Sequence, residues 1–135
     1  MKKTGFFFLL IILAITWDSC KTGSGKGSGG DAGIAFDATN HDFGEIPFSE
    51  EAEFDFVFSN TGTVPLLVTH VKSTCGCTIP TWSKEPVAEG AKGSIRVSYD
   101  TYRVGTFNKS IYVYSNAANG VQRLTIRGKV RSVEI

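Results

Sequence analysis

Phenylalanine occupies every second position from 54 to 58, and this alternation constrains the fold more than any other feature of the sequence. Phe54, Phe56 and Phe58 share one face of an extended chain, because successive side chains of a β-strand point to opposite faces. The same period of two recurs at residues 94–99 and 109–114. No stretch after Cys20 has the 3.6-residue apolar period of a helix. The sequence therefore predicts an all-β domain.

Turn-forming residues separate the alternating segments. The cluster at residues 59–63 ends the Phe-rich strand, and residues 43–47 are expected to turn the chain into it. About seven strands over about 100 residues predict an antiparallel β-sandwich at residues 34–132, with a barrel as the alternative. The predicted core residues are Phe36, Phe54, Phe56, Phe58, Leu66, Val68, Ile95, Val97, Ile111, Val113, Leu124 and Ile126.

Residues 1–19 have the pattern of an export signal peptide. Two lysines precede an unbroken apolar run at residues 6–15, which is too short for a bilayer span of about 20 residues. Ser19 is the small residue that a lipoprotein signal peptidase requires before its Cys. We expect cleavage before Cys20, acylation of Cys20 by a fatty acid such as palmitate, and membrane attachment through the lipid alone. An ordinary signal cut elsewhere, leaving a free Cys20, is the alternative.

The segment that follows the proposed lipid, residues 20–33, is rich in Gly and Ser and is expected to be a flexible linker. No acidic run follows Cys20, which favours an anchor in the outer membrane that faces the periplasm. Cleavage would leave equal numbers of basic and acidic residues, because it removes Lys2, Lys3 and Asp18. A neutral chain argues against a nucleic-acid partner. We expect an unidentified protein of the cell envelope as the partner, and no small-molecule substrate.

Charge is unevenly distributed along the mature chain. Residues 20–83 hold three basic and eight acidic residues, whereas residues 84–135 hold nine and four. The favoured interpretation is that neighbouring strands carry opposite charges on their solvent faces. The alternative is a basic face for an acidic partner, formed by Arg96, Arg123, Arg127, Lys129 and Arg131.

Cys75 and Cys77 flank Gly76, so local geometry alone holds the two thiols close together. Three interpretations remain open. The cysteines are small buried apolar residues, or they form a reducible disulfide suited to thiol exchange, or they bind a soft ion such as Cu(I) together with His70. A tetrahedral zinc site would require His41 as well, and the spacing gives that arrangement no support.

Three strings stand out along the chain: His-Asp-Phe-Gly-Glu-Ile at residues 41–46, Phe-Val-Phe-Ser-Asn-Thr-Gly at 56–62, and Ser-Thr-Cys-Gly-Cys-Thr at 73–78. Together they resemble the domain of unknown function 1573 family, whose members are small secreted or lipid-anchored proteins of Gram-negative bacteria. The resemblance implies an immunoglobulin-like sandwich that acts as a binding or scaffold module. More distantly, the domain resembles those of ciliary and centrosomal scaffolds and of periplasmic pilus chaperones.

Enzyme motifs are absent from the sequence. There is no HExxH string and no G-x-S-x-G string, and the chain has only two histidines. The resemblance adds no reaction, so it implies no catalytic residue. We therefore expect a protein that is not an enzyme and that uses no cofactor.

Acylation at Cys20 can be tested by metabolic labelling with a fatty acid. Cys20→Ala should abolish the label, because the acylated atom is the Cys20 sulfur. Cys75→Ser/Cys77→Ser is the matched control and should keep the label. Label retained by Cys20→Ala would contradict the prediction.

Overall fold

The computed structural model describes residues 30–134, and all of its regular structure is β. The predicted β-sandwich is confirmed. The predicted signal peptide, Cys20 and the linker up to residue 29 lie outside the described residues. No helix long and apolar enough to cross a membrane occurs among residues 30–134. The eight strands are β1 (Ile34–Phe36), β2 (Asn40–Ile46), β3 (Glu53–Asn60), β4 (Val68–Ser73), β5 (Thr78–Trp82), β6 (Lys92–Tyr99), β7 (Gly105–Ser115) and β8 (Gln122–Val130).

The strands form two four-stranded sheets, one in the order β1-β3-β6-β5 and the other in the order β2-β8-β7-β4. Strand β2 pairs with β8 in parallel, and the other strand pairs are antiparallel. The sandwich thus has one strand more than the approximate number predicted, and it departs from a purely antiparallel arrangement at this one pair. The first part of the domain is divided between the sheets, because β1 joins one of them and β2 the other.

The predicted turn at residues 43–47 is wrong, because most of this segment belongs to β2. The turn-forming residues instead lie inside the strand, where the register against β8 shifts between Asp42 and Glu45. Gly44 has a φ of 66° and donates its N–H to Asp42 Oδ1 at 2.8 Å. Glycine adopts this left-handed conformation without steric cost, so a local turn forms a bulge while pairing continues on both sides.

The predicted core is largely confirmed. All twelve predicted residues are buried except Phe36 and Phe54, which are partly buried against the others. Each fully buried aliphatic or aromatic side chain contributes roughly 1.5–3 kcal/mol relative to its exposed state. The apolar faces of both sheets therefore supply the main stabilisation.

Asn60 is a polar residue inside this core, with only 1% of its surface exposed. Its Nδ2 donates to the carbonyl oxygens of Val64 at 2.8 Å and Val87 at 2.9 Å. Its Oδ1 accepts from the backbone N–H of Gly62 at 2.9 Å and of Gly33 at 3.4 Å. One amide therefore joins three separate backbone segments at one end of the sandwich.

Asn60→Asp should lower the free energy of unfolding by about 3 kcal/mol, because it removes the donor to two carbonyl oxygens and buries a carboxylate beside them. Asn116 is a matched control: its amide also bridges two backbone groups, Leu67 N at 2.8 Å and Pro65 O at 3.0 Å, but the residue is exposed. Asn116→Asp should cost less than about 1 kcal/mol. Urea unfolding of the full chain would measure both, and equal losses would contradict the role given to Asn60.

Candidate functional site

The Cys-Gly-Cys segment is the connection by which the chain crosses from one sheet to the other. It follows β4, an edge strand of one sheet, and precedes β5, an edge strand of the other. In the structure Cys75 and Cys77 are joined as a disulfide, with their Cα atoms 5.3 Å apart. Cys77 is buried, with 3% of its surface exposed, whereas Cys75 is partly exposed and Gly76 is exposed. Cys77 therefore belongs to the core, while Cys75 is only partly buried against it.

Hydrogen bonds hold this crossover in place. The Ser73 hydroxyl lies 2.7 Å from the carbonyl oxygen of Cys75 and 2.8 Å from that of Thr78. A hydroxyl has a single proton, so it donates to one of these oxygens at a time. The Cys77 carbonyl oxygen accepts from Asp100 N at 2.8 Å, which ties the crossover to the end of β6. The segment is thus a backbone-anchored corner of the sandwich.

The two histidines named as possible metal ligands lie in aromatic surroundings. The ring of His70 lies 6.0 Å from that of Tyr114 and 6.2 Å from that of Trp82. His41 stacks on Phe54 with ring centroids 3.7 Å apart, and burial lowers the pKa of its imidazole, opposed by the charge of Asp42.

The geometry does not assemble the zinc arrangement that would combine both histidines with the cysteines. Strands β2, which carries His41, and β4, which precedes the cysteines, are opposite edges of their sheet. Residues 30–134 contain no group of three or more His, Cys, Asp or Glu side chains that could hold a metal ion.

Most of the basic residues predicted as an alternative binding face are neutralised by carboxylates on the adjacent strand. Arg96 Nε donates to Asp55 Oδ1 at 2.8 Å, and Arg127 Nε donates to Asp42 Oδ2 at 2.9 Å. Both pairs are direct register partners. The hydrogen bonds from Arg96 lower the pKa of the Asp55 carboxyl. These residues therefore fit the favoured interpretation, in which neighbouring strands carry opposite charges on their solvent faces.

The basic face is wrong as a set, because its members do not share one surface. Arg96 lies on β6, whereas Arg123, Arg127 and Lys129 lie on β8 in the other sheet. Lys129 is a register partner of Glu45, and its Nζ lies 4.0 Å from Glu45 Oε1. Of these four residues, Arg123 alone forms no ion pair within residues 30–134.

The structure places Arg123 in a row of side chains that the sequence did not reveal. Lys72 on β4, Tyr112 on β7 and Arg123 on β8 are consecutive register partners across three strands. His70 and Tyr114 form the neighbouring register pair. We call these five residues the tyrosine patch. Like Arg123, Lys72 has no ion pair within the described part of the chain.

Two neighbouring tyrosines and two unpaired cations give this face its chemistry. Tyr114 is 38% exposed, and Tyr112 is partly exposed. Arg123 Nε donates to Ser110 Oγ at 3.1 Å, which orients the guanidinium beside Tyr112 without neutralising it. A groove of about 370 Å³ is lined by Lys72, Ser73, Thr74, Tyr112 and Tyr114. The patch combines aromatic surface, positive charge and a shallow concavity.

Two facing sheets in this order are an immunoglobulin-like sandwich, and similar solved structures include PapD-like domains. The chain belongs to the family described as "Protein of unknown function (DUF1573)", whose model matches residues 34–130. The resemblance noted in the sequence is thereby confirmed. No curated protein sequence matches the chain.

Three similar solved structures have low sequence identity and therefore show the fold alone. A protein of unknown function from Porphyromonas gingivalis W83 is 14% identical with a TM-score of 0.65, over 73% of this chain and 46% of that chain. PapD-like domain 7 of human CEP192 is 11% identical with a TM-score of 0.65, over 77% and 89%. The CupB2 chaperone of Pseudomonas aeruginosa is 14% identical with a TM-score of 0.55, over 74% and 57%. The chain thus spans less than half of the P. gingivalis protein.

The Cys75–Cys77 bond should contribute little to stability, because it closes a three-residue loop. The loop-entropy relation gives about 1.6 kcal/mol for such a loop. A thiol reductant should therefore lower the free energy of unfolding by no more than about this amount. Cys75→Ser/Cys77→Ser should lose the response to reductant. Urea unfolding with and without reductant would measure both, and a response that persists in the double variant would contradict the assignment.

Proposed function

We propose that this protein is a lipid-anchored, non-catalytic binding module of the cell envelope, and that it contacts another envelope protein through the tyrosine patch. The observation that carries the proposal is the row in which the partly exposed Tyr112 lies between Lys72 and Arg123, with the exposed Tyr114 in the neighbouring register pair. Neither cation has an ion-pair partner within residues 30–134. Tyrosine and arginine are enriched among the residues that contribute most to protein interfaces.

The rest of the same sheet face offers less to a partner. Farther from β4, Arg127 and Lys129 already have carboxylate partners on β2. A partner that covered them would have to remove water from charges that are already balanced, with little gain. A carboxylate of the partner near Lys72 or Arg123 would pair with a cation that has no other carboxylate partner within residues 30–134. The face therefore favours binding at the end formed by β4 and β7.

The sequence supports the proposed lipid anchor. A segment with the pattern of a signal peptide is followed directly by Cys20 and then by a tract rich in Gly and Ser. Only the nine residues from 21 to 29 separate Cys20 from the described part of the chain. The domain would then stay close to the membrane, most simply the periplasmic side of the outer membrane. Its partner would have to be a membrane protein or a protein held near the membrane.

A binding role without catalysis is compatible with the comparisons. The family is described as one of unknown function, and the similar CupB2 protein is named a chaperone. The sequence also lacks the HExxH and G-x-S-x-G strings of common hydrolases. These observations support a module whose function is recognition.

Site-specific photo-crosslinking in intact cells would test the proposal. A benzophenone amino acid at Tyr114 should give a covalent adduct with one envelope protein. The same probe at Ser94, which is exposed on the other sheet, is the matched control and should give none.

Tyr112→Ala/Tyr114→Ala should reduce recovery of that partner at least tenfold, because each lost interface tyrosine costs on the order of 1–2 kcal/mol. Fatty-acid labelling and the unfolding curve of the variant would show that the anchor and the fold are intact. Equal adducts at both probe positions, or none, would contradict the proposal.

A second candidate function is thiol exchange through the Cys75–Cys77 bond. The observation that favours it is the partial exposure of Cys75 beside residues that line the patch groove. Thiolate attack on the bond by a dithiol protein would leave Cys75 and Cys77 reduced and the attacking protein oxidised to its own disulfide. Cys75→Ser/Cys77→Ser would separate the two candidates, because a binding module should keep its Tyr114 adduct in this variant.

A further inference from the structure

Each sheet ends in two edge strands, and three of the four edges are obstructed. Strand β1 has three residues, and β2 contains the bulge at Gly44. Strand β5 contains Pro80, which has no N–H to offer to a neighbour. These are the features by which natural sheets prevent additional strands from pairing.

Strand β4 differs from the other three edges. It has six residues, contains no proline, and its one irregularity against β7 is confined to its start, between Val68 and His70. From His70 to Ser73 the pairing with β7 is regular. The opposite edge of this stretch is therefore a template for one more strand.

Aromatic side chains lie on both sides of the β4 edge. His70 contacts Tyr114 on the outer face of the sheet and Trp82 of β5. Trp82 Nε1 is buried and has no hydrogen-bond partner within the described residues. A buried donor without a partner is costly and uncommon in native proteins. Aromatic surface therefore lines the β4 edge on both sides.

Charge identifies the kind of strand that fits. An added strand would place alternate side chains on the outer face, next to His70 and Lys72. Tyr112 and Arg123 continue the Lys72 row across the sheet. None of the ion pairs within residues 30–134 involves Lys72 or Arg123, so carboxylates at those alternate positions would meet free cations.

We infer that the β4 edge receives an extended, acidic segment of a partner protein, which adds to the sheet as a fifth strand with its carboxylates beside Lys72. The inference rests on the proposed function and specifies the partner's chemistry. Two cations are too few to hold a nucleic-acid backbone, whose binding depends on many phosphate contacts. Main-chain hydrogen bonds would supply affinity, and the alternating carboxylates would supply specificity.

The test uses the full chain in detergent and a fluorescent ten-residue peptide in which Glu alternates with Val or Thr. The acidic peptide should bind, and the same peptide with Lys in place of Glu should not. Lys72→Glu should weaken binding at least tenfold. Arg131→Glu is the matched control and should leave binding unchanged, because Arg131 is an exposed cation beyond β8 with no ion pair within residues 30–134.

Two methylated peptides separate strand addition from side-chain docking. In one, the backbone nitrogens of every Glu are methylated, and in the other those of every Val or Thr. Only one set of amides can face β4, so one methylated peptide should lose binding and the other should keep it. Hydrogen exchange should slow at residues 68–73 on binding.

Equal binding of both methylated peptides, or no binding of the acidic peptide, would overturn the inference. The photo-crosslink at Tyr114 is independent of this result. An adduct that persists while the peptide fails would reject strand addition and leave the binding module standing. Loss of both would reject both.

Discussion

The buried amide of Asn60 holds together the end of the sandwich at which the chain enters the domain. Its four hydrogen bonds reach the segment before β1, the loop after β3 and the loop before β6. Burying an amide is favourable only when its donors and acceptors are all paired, so these segments depend on one another. Gly62 belongs to the same arrangement, because a Cβ atom there would overlap the backbone of residues 31–33.

This end of the domain also receives the chain from the predicted linker. The entering chain pairs with both sheets: Ile34 pairs with Asn60 of β3, and Ala32 bridges to Ala117 just beyond β7. Asn119 adds two hydrogen bonds to Ile34, at 2.8 and 3.2 Å. Tyr114 lies only three residues before Ala117, so the patch is near the end where the linker joins.

The sequence predicted strands best where the two faces of a strand differ in polarity. Strands β3, β6, β7 and β8 alternate strongly because one face packs in the core and the other faces solvent. Strands β2 and β5 were not predicted as strands. Each is an edge strand with little buried surface, and each contains a residue that signals a turn, Gly44 or Pro80. Pairing with β8 and β6 decides their structure, and local sequence does not encode that pairing.

The candidate site, too, could be predicted from the sequence only in part. The spacing of Cys75 and Cys77 was enough to predict that the thiols are neighbours, but not which sheets their segment connects. The alternating pattern of residues 109–114 was also enough to predict that Tyr112 and Tyr114 lie on the outer face of their strand. The row from Lys72 through Tyr112 to Arg123 depends on the register of three strands that are distant in sequence, so only the structure reveals it. Register also shows which cations are already paired.

The division of the first segment between the two sheets has a consequence for assembly. Strand β2 covers the outer edge of β8 in parallel, and β1 covers the end of β3. Without these two strands, β8 and β3 would be the edges on that side of the sandwich. The first two strands of the domain therefore close one side, while the Cys75–Cys77 crossover joins the strands of the opposite side. A further strand could therefore join either sheet only on the side of β4 and β5. Pro80 obstructs the edge of β5, so the edge of β4 is the one that remains open.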